Sequence, residues 1–332
     1  MKKIIKTLAL TVPFILSACT KMPAIEDKES KLATQAQLQN CELLGQADKM
    51  EAAYSDLLEK KWDRDQLGCG ALYIYETAQQ STFGIELKLE ALAAQLNYFD
   101  VLNRSYPKLY QSGALGDELN GLWRATRERS QNLIASVEFL DGFIPEINLL
   151  KGAYLLANTE KDSSVKEAIG ALPPALKLIE DAVQRKPEAG DGLGLYLLGR
   201  MKLTMPSFIG GDTDEAIELF EKAILQQPNN LEIHRWLLQG YAATGEVEKE
   251  MNVITKASKI FDQNINDQDL ADLYIIYGGS AHRYNMENEI TFFSQQRKSL
   301  FEQKPYLLTR EAGANRGHGG ADPITGTDPN AI

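Results

Sequence analysis

The sequence predicts an all-α protein, an α-solenoid of stacked helix pairs with a helical cap at its N-terminal end. Three observations lead to that class. Between residues 31 and 303, apolar side chains recur at helical spacing in segment after segment, and no run alternates apolar with polar as a half-buried strand does. Gly and Pro interrupt the pattern at Pro107, the Gly113–Gly116 stretch, Pro187, Gly210-Gly211, Pro228, Gly245 and Pro305. One order of small, aromatic and proline residues then returns in successive units of the C-terminal half. The predicted helices cover 31–59, 64–80, 85–102, 117–139, 143–158, 164–185, 191–204, 213–226, 231–244, 246–261, 269–284 and 287–303.

Residues 1–18 precede all of this and read as an export signal. Lys2, Lys3 and Lys6 form a charged head, Ile4 to Leu16 supply the apolar segment, and Ser17 and Ala18 are the small residues of a processing site. The apolar run is interrupted by Pro13 and is shorter than the roughly 20 residues a spanning helix needs. Leu16-Ser17-Ala18-Cys19 resembles the lipobox of bacterial lipoproteins. The resemblance implies that Cys19 becomes a lipidated mature N-terminus. Each buried methylene of an acyl chain contributes about 0.8 kcal/mol, and stable anchoring takes more than one chain. Thr20 stands where many inner-membrane lipoproteins carry Asp, which by the same resemblance points to the periplasmic face of the outer membrane. Residues 19–30 are polar and form a tether.

The next stretch, 31–142, is helical in pattern but carries no repeat signature. It reads as a bundle covering the first repeat, because an end repeat has no neighbour for its apolar face. Cys41 and Cys69 lie here. In an oxidising compartment they either pair, closing a loop worth about 3–4 kcal/mol, or remain buried thiols on neighbouring helices. Neither belongs to a CxxC or to a zinc-spaced cluster.

Residues 143–305 carry the repeat signal. In the segment 216–228, Ala216, Phe220 and Ala223 share one helical face and Pro228 closes the run. Small Ala side chains let two helices approach, and the larger Phe fills the space between them. This resembles the second helix of a tetratricopeptide repeat. Leu195, Leu198 and Gly199 stand at first-helix spacing ahead of it. The next unit, about 34 residues on, continues in register with Leu237, Tyr241, Gly245 and Ala257, departing only where Asp262 replaces the Pro. Ala175, Ile179, Ala182 and Pro187 repeat the pattern upstream, while the downstream unit keeps only Pro305. The expected array has four units. Residues 306–332 form a tail rich in Gly, Asn, Asp and Pro, too poor in large apolar groups to offset ordering entropy.

The chain carries a formal charge of −11, which repels nucleic acid and anionic lipid head groups. It has three His. Gly278-Gly279-Ser280-Ala281-His282 lacks the last Gly of a nucleophile elbow and falls in a helical pattern. Asp262, Asn264 and Asn266 imitate the start of a calcium loop, but Asp267 replaces its Gly and Leu273 its bidentate Glu. Asn266 capping a helix with Asp269 in its first turn explains them instead. No phosphate-cradling Gly loop and no HExxH occurs. The expectation is a protein that is not an enzyme and holds no cofactor and no metal.

What remains is a loop. Pro206-Ser207-Phe208-Ile209-Gly210-Gly211-Asp212 makes its unit about five residues longer than the standard repeat, and insertions of this kind map to one face of a solenoid. Phe208 and Ile209 either fold back onto the core or present a binding surface. Gly210-Gly211 admits backbone shapes closed to other residues, and Asp212 caps the helix after it. Tyr196, Trp236, Tyr241 and Tyr277 are further candidates to line a ligand or partner site. The lipobox, the degenerate helical repeats and Pro206...Gly210-Gly211-Asp212...Ala216...Phe220-Glu221-Lys222-Ala223 together resemble the T-component (TatT) family of TRAP transporters. The resemblance covers the whole mature chain in architecture and residues 195–228 in motif. It implies a periplasmic homo-oligomer, a trimer, with an internal pore or cleft, a solute-binding P-component as partner and a small hydrophobic ligand. The acidic tail and the Cys41/Cys69 pair have no counterpart in that pattern. The alternative on the same fold is a repeat scaffold for outer-membrane or peptidoglycan assembly, with a protein-only interface.

Overall fold

The computed structural model describes residues 28–43, 52–54, 64–81, 84–105, 114–162, 165–260 and 267–304. The expected signal, Cys19, the tether up to residue 27 and the tail 306–332 lie outside the described residues. All regular structure within them is helical: α1 (Lys28–Leu43), α2 (Arg64–Gln80), α3 (Ile85–Ser105), α4 (Ala114–Val137), α5 (Pro145–Asp162), α6 (Val165–Arg185), α7 (Leu193–Thr204), α8 (Thr213–Gln226), α9 (Leu231–Thr244), α10 (Val247–Ala257), α11 (Asp267–Arg283) and α12 (Glu287–Gln303). Residues 52–54 are helical as well. The expected first helix, 31–59, is described only as α1 and that short piece.

The helix ends follow from local chemistry. Asp212 starts α8, its side chain accepting from the Glu215 amide at 2.9 Å. Asn230 starts α9 in the same way, accepting from the amides of Glu232 and Ile233 at 3.1 and 3.2 Å. Gly245 ends α9 with φ +74, a left-handed conformation that glycine adopts without strain.

The helices stack as hairpins. α5 pairs with α6, α7 with α8, α9 with α10 and α11 with α12. Each new pair also rests on the one before, α7 on α6, α9 on α8, and α11 on both α9 and α10. The result is an all-α helical repeat array with one continuous core. Its centre is the stripe read from the sequence: Ala175, Ile179, Ala182, Ala216, Phe220 and Ala223 are all fully buried. A Cβ on Gly199 would meet the Phe220 ring at 2.6–2.9 Å, so α7 and α8 approach as closely as they do because that position has no side chain.

α2 to α4 build a second core around Leu92, Phe99, Leu102 and Trp123, with Phe99 and Trp123 edge to face at 5.5 Å, and α1 packs against α4 and α2. α5 belongs to both cores. Leu149 packs into the array, whereas Leu150 and Tyr154 pack into the cap. Arg185 fixes the turn ahead of α5 by donating to the carbonyls of Asp141 and Gly142, both at 2.9 Å. Cys41 and Cys69 are joined as a disulfide that staples α1 to α2. No helix among the described residues is long and apolar enough to cross a membrane.

Candidate functional site

The loop between α7 and α8 is built to hold its shape. Pro206 leads into a single 3-10 turn over Ser207–Ile209, and Gly210 reverses the chain at φ +103. The amides of Ile209 and Gly211 both donate to the Pro206 carbonyl, at 3.0 and 3.1 Å, and the Asp212 amide donates to the Lys202 carbonyl at 2.9 Å. A Cβ on Gly211 would fall 1.8 Å from the Met205 carbonyl oxygen, so no other residue fits there. The Lys202 ammonium reaches Glu215 at 2.8 Å and Glu180 at 3.7 Å, tying the loop's base to α6 and α8. Phe208 is 85 % exposed and Ile209 39 % exposed. They do not fold back onto the core. The backbone bonds, not side-chain burial, order this loop.

Tyr196 of α7 and Trp236 of α9 come together through a residue that the sequence reading passed over. The Arg200 guanidinium lies 5.4 Å from the Tyr196 ring centre and 4.8 Å from that of Trp236, and Arg235 stands 4.3 Å from Trp236 as well. Glu232 organises the group, accepting from Trp236 Nε1 and Arg235 Nη2, both at 2.9 Å. Burial pushes the Tyr196 phenol up to about 12, so it stays protonated and accepts from Arg200 Nη1 at 3.3 Å. The signal for Arg200 was present: it stands one helical turn after Tyr196.

The other two tyrosines are elsewhere. Tyr277 is fully buried, stacks on Phe293 at 5.4 Å and donates to the Leu231 carbonyl at 2.8 Å. It serves the contact between α9 and α11. Tyr241, 5 % exposed, points to the opposite side of α9 from Trp236 and donates to Glu221 at 2.5 Å. Burial and that carboxylate raise its pKa. Ser280 is buried and His282 exposed on α11, so they face different ways. No group of three or more His, Cys, Asp or Glu among the described residues is placed to hold a metal ion. Phe139 and Phe143, on the turn between α4 and α5, are further exposed aromatics that periodicity alone did not mark.

A hollow of about 320 Å³ lies between α8 and α10, with α9 as its floor. Helical spacing assembles it: Glu221, Ile224 and Leu225 from α8, His234, Leu237 and Tyr241 from α9, and Lys249, Asn252, Val253 and Lys256 from α10. His234 is 3 % exposed, and its Nε2 donates to the Pro228 carbonyl at 2.9 Å. Burial, aided by the Lys256 charge, lowers its pKa below the ordinary 6.5. The unfolded chain therefore takes up the proton first as pH falls, and stability that is full above about 6.5 declines below it. Wild type is expected to lose more unfolding free energy than His234→Asn between pH about 7.5 and about 5.5, read by urea titration at each pH. Equal losses would show that this imidazole is solvated.

Compared with known proteins, the chain matches no family model and no curated protein.

Proposed function

We propose that the chain is a lipid-anchored binding protein of the bacterial envelope, without catalytic activity, whose helical repeats dock a partner protein. In its specific form it is the T-component of a TRAP-type solute transporter. It sits on the periplasmic face of the outer membrane, assembles as a homotrimer, pairs with a solute-binding protein and handles a small hydrophobic ligand. The observation that carries the docking reading is Phe208, a large aromatic 85 % exposed on a loop that its own backbone bonds hold still. An aromatic anchor ordered before binding loses little entropy on docking, which is the character of interface hot spots. The Cys41–Cys69 disulfide supports export, since such bonds persist in oxidising compartments.

Phe208→Asp tests the docking reading. The exposed position predicts an unchanged melting temperature and helix content. Affinity for a solute-binding protein encoded by neighbouring genes is expected to fall more than tenfold, as a truncated hot spot costs about 2 kcal/mol or more. Biolayer interferometry reads it. Equal binding by variant and wild type would remove the loop from the interface. Capture of an envelope-assembly protein in place of a solute-binding protein would move the reading to the scaffold alternative.

A further inference from the structure

We propose that the N-terminal cap holds a small monovalent anion, of the halide kind, beside the buried guanidinium of Arg129. The site lies inside the helices that precede the array, away from Phe208 and the Arg200 group. It is independent of the docking reading.

Four helices contribute to it. Arg129 of α4 is 4 % exposed, and its Nη2 donates to Gln37 Oε1 of α1 at 2.7 Å. That bond fixes the Gln37 amide. Its oxygen is taken, so Nε2 is left as an N–H donor in a side chain 5 % exposed. Gln37 Nε2, Arg129 Nε and Arg129 Nη1 are all buried without a hydrogen-bond partner. Gly68 of α2 lets the polar groups close in. A Cβ there would stand 2.6 Å from both Gln37 Nε2 and the Tyr98 hydroxyl of α3. The Cys41–Cys69 disulfide, one turn after Gln37 and next to Gly68, holds α1 against α2 at this level.

The three orphaned atoms are of one kind, all N–H groups around one positive charge. Burial pulls the Arg129 pKa below its ordinary 12.5, yet an arginine stays charged at neutral pH. A buried charge without a partner is strongly destabilising. The side chains facing Arg129 do not supply one. Tyr75 and Tyr98 bring phenols, and burial raises the Tyr75 pKa. Glu76 is exposed and Glu128 half-buried, and neither accepts a hydrogen bond from Arg129. Gln95 is held one turn further along α2, donating to the Ala71 carbonyl at 2.6 Å.

The donors specify the occupant. A water would satisfy two of them and leave the guanidinium uncompensated. Sulfate or phosphate would set two or more charges against one. A carboxylate would bring a carbon skeleton into a core whose polar groups already press on the α2 backbone. A halide carries one charge, accepts from any direction and is about the size of a methyl group.

The test uses the detergent-solubilised full chain at constant ionic strength, with chloride exchanged stepwise for gluconate. An anion that binds only the folded state should raise the melting temperature by about 2–4 °C for each tenfold rise above its Kd. Two variants remove the site by opposite routes. Arg129→Met removes the charge, and Gln37→Glu supplies a fixed carboxylate in its place. Both are expected to melt above chloride-free wild type and to lose the chloride dependence. Bromide-soaked crystals should show an anomalous peak against Arg129 and Gln37. A wild type indifferent to chloride overturns the proposal. So does a chloride dependence that survives in Gln37→Glu, or an ordered water and no bromide at the guanidinium.

Discussion

Phe220→Ala is expected to lower the unfolding free energy by about 3–5 kcal/mol, the largest single-residue effect in the array. The ring is fully buried where α7, α8 and α9 meet, stacked on Trp236 at 6.5 Å and pressed against Gly199. Gly199 makes the cavity hard to close, since the facing position has no side chain that can move in. Leu225→Ala on the same helix is the control. Leu225 is 80 % exposed, and its truncation is expected to change stability by no more than about 0.5 kcal/mol. Urea titration followed by circular dichroism reads both. A loss below about 1 kcal/mol for Phe220→Ala would mean that the three helices do not close over the ring.

Reducing the Cys41–Cys69 bond, or replacing both residues by Ala, is expected to cost about 3–4 kcal/mol by the loop-closure relation. The bond spans 28 residues of sequence. Both sulfurs are buried, and Ala keeps an apolar group at each place, so the cost falls mainly on the freed unfolded chain. The loss should be confined by topology. The staple joins α1 to α2, whereas stability in a repeat array passes between neighbouring units. Hydrogen exchange should therefore quicken across α1 to α4 before it quickens in α7 to α12. Coincident melting of oxidised and reduced protein would show that the cap holds together without the bond.

Much of the fold was legible because helices leave local marks. The segments 64–80, 213–226, 231–244 and 287–303 were predicted at the ends that the structure gives them. At 213–226 and 231–244 the capping residues Asp212 and Asn230 agree with the apolar period. The stripe Ala216, Phe220, Ala223 predicted a packed face, and all three are fully buried. The candidate site was legible only as a list of residues. Phe208 and Ile209 looked as suited to the core as to a surface, because both are apolar and the choice depends on backbone hydrogen bonds to Pro206 and Lys202. Tyr277 and Trp236 looked alike for the same reason. One is sealed between α9, α11 and α12, and the other joins a group with two arginines. Cys41 and Cys69 left pairing and burial equally open, since spacing says nothing of whether two helices bring their β-carbons together.

The sequence by itself determined the class of the fold, the pairing of helices in the C-terminal half and the residues of their shared core. Period, caps and small-residue spacing are local properties that survive in one dimension. Only the tertiary structure decided which side each aromatic faces, that Cys41 meets Cys69, that Arg200 joins Tyr196 to Trp236, and that a hollow opens between α8 and α10. Those contacts join residues on different helices, and their distances depend on how each helix is rotated and stacked against the next.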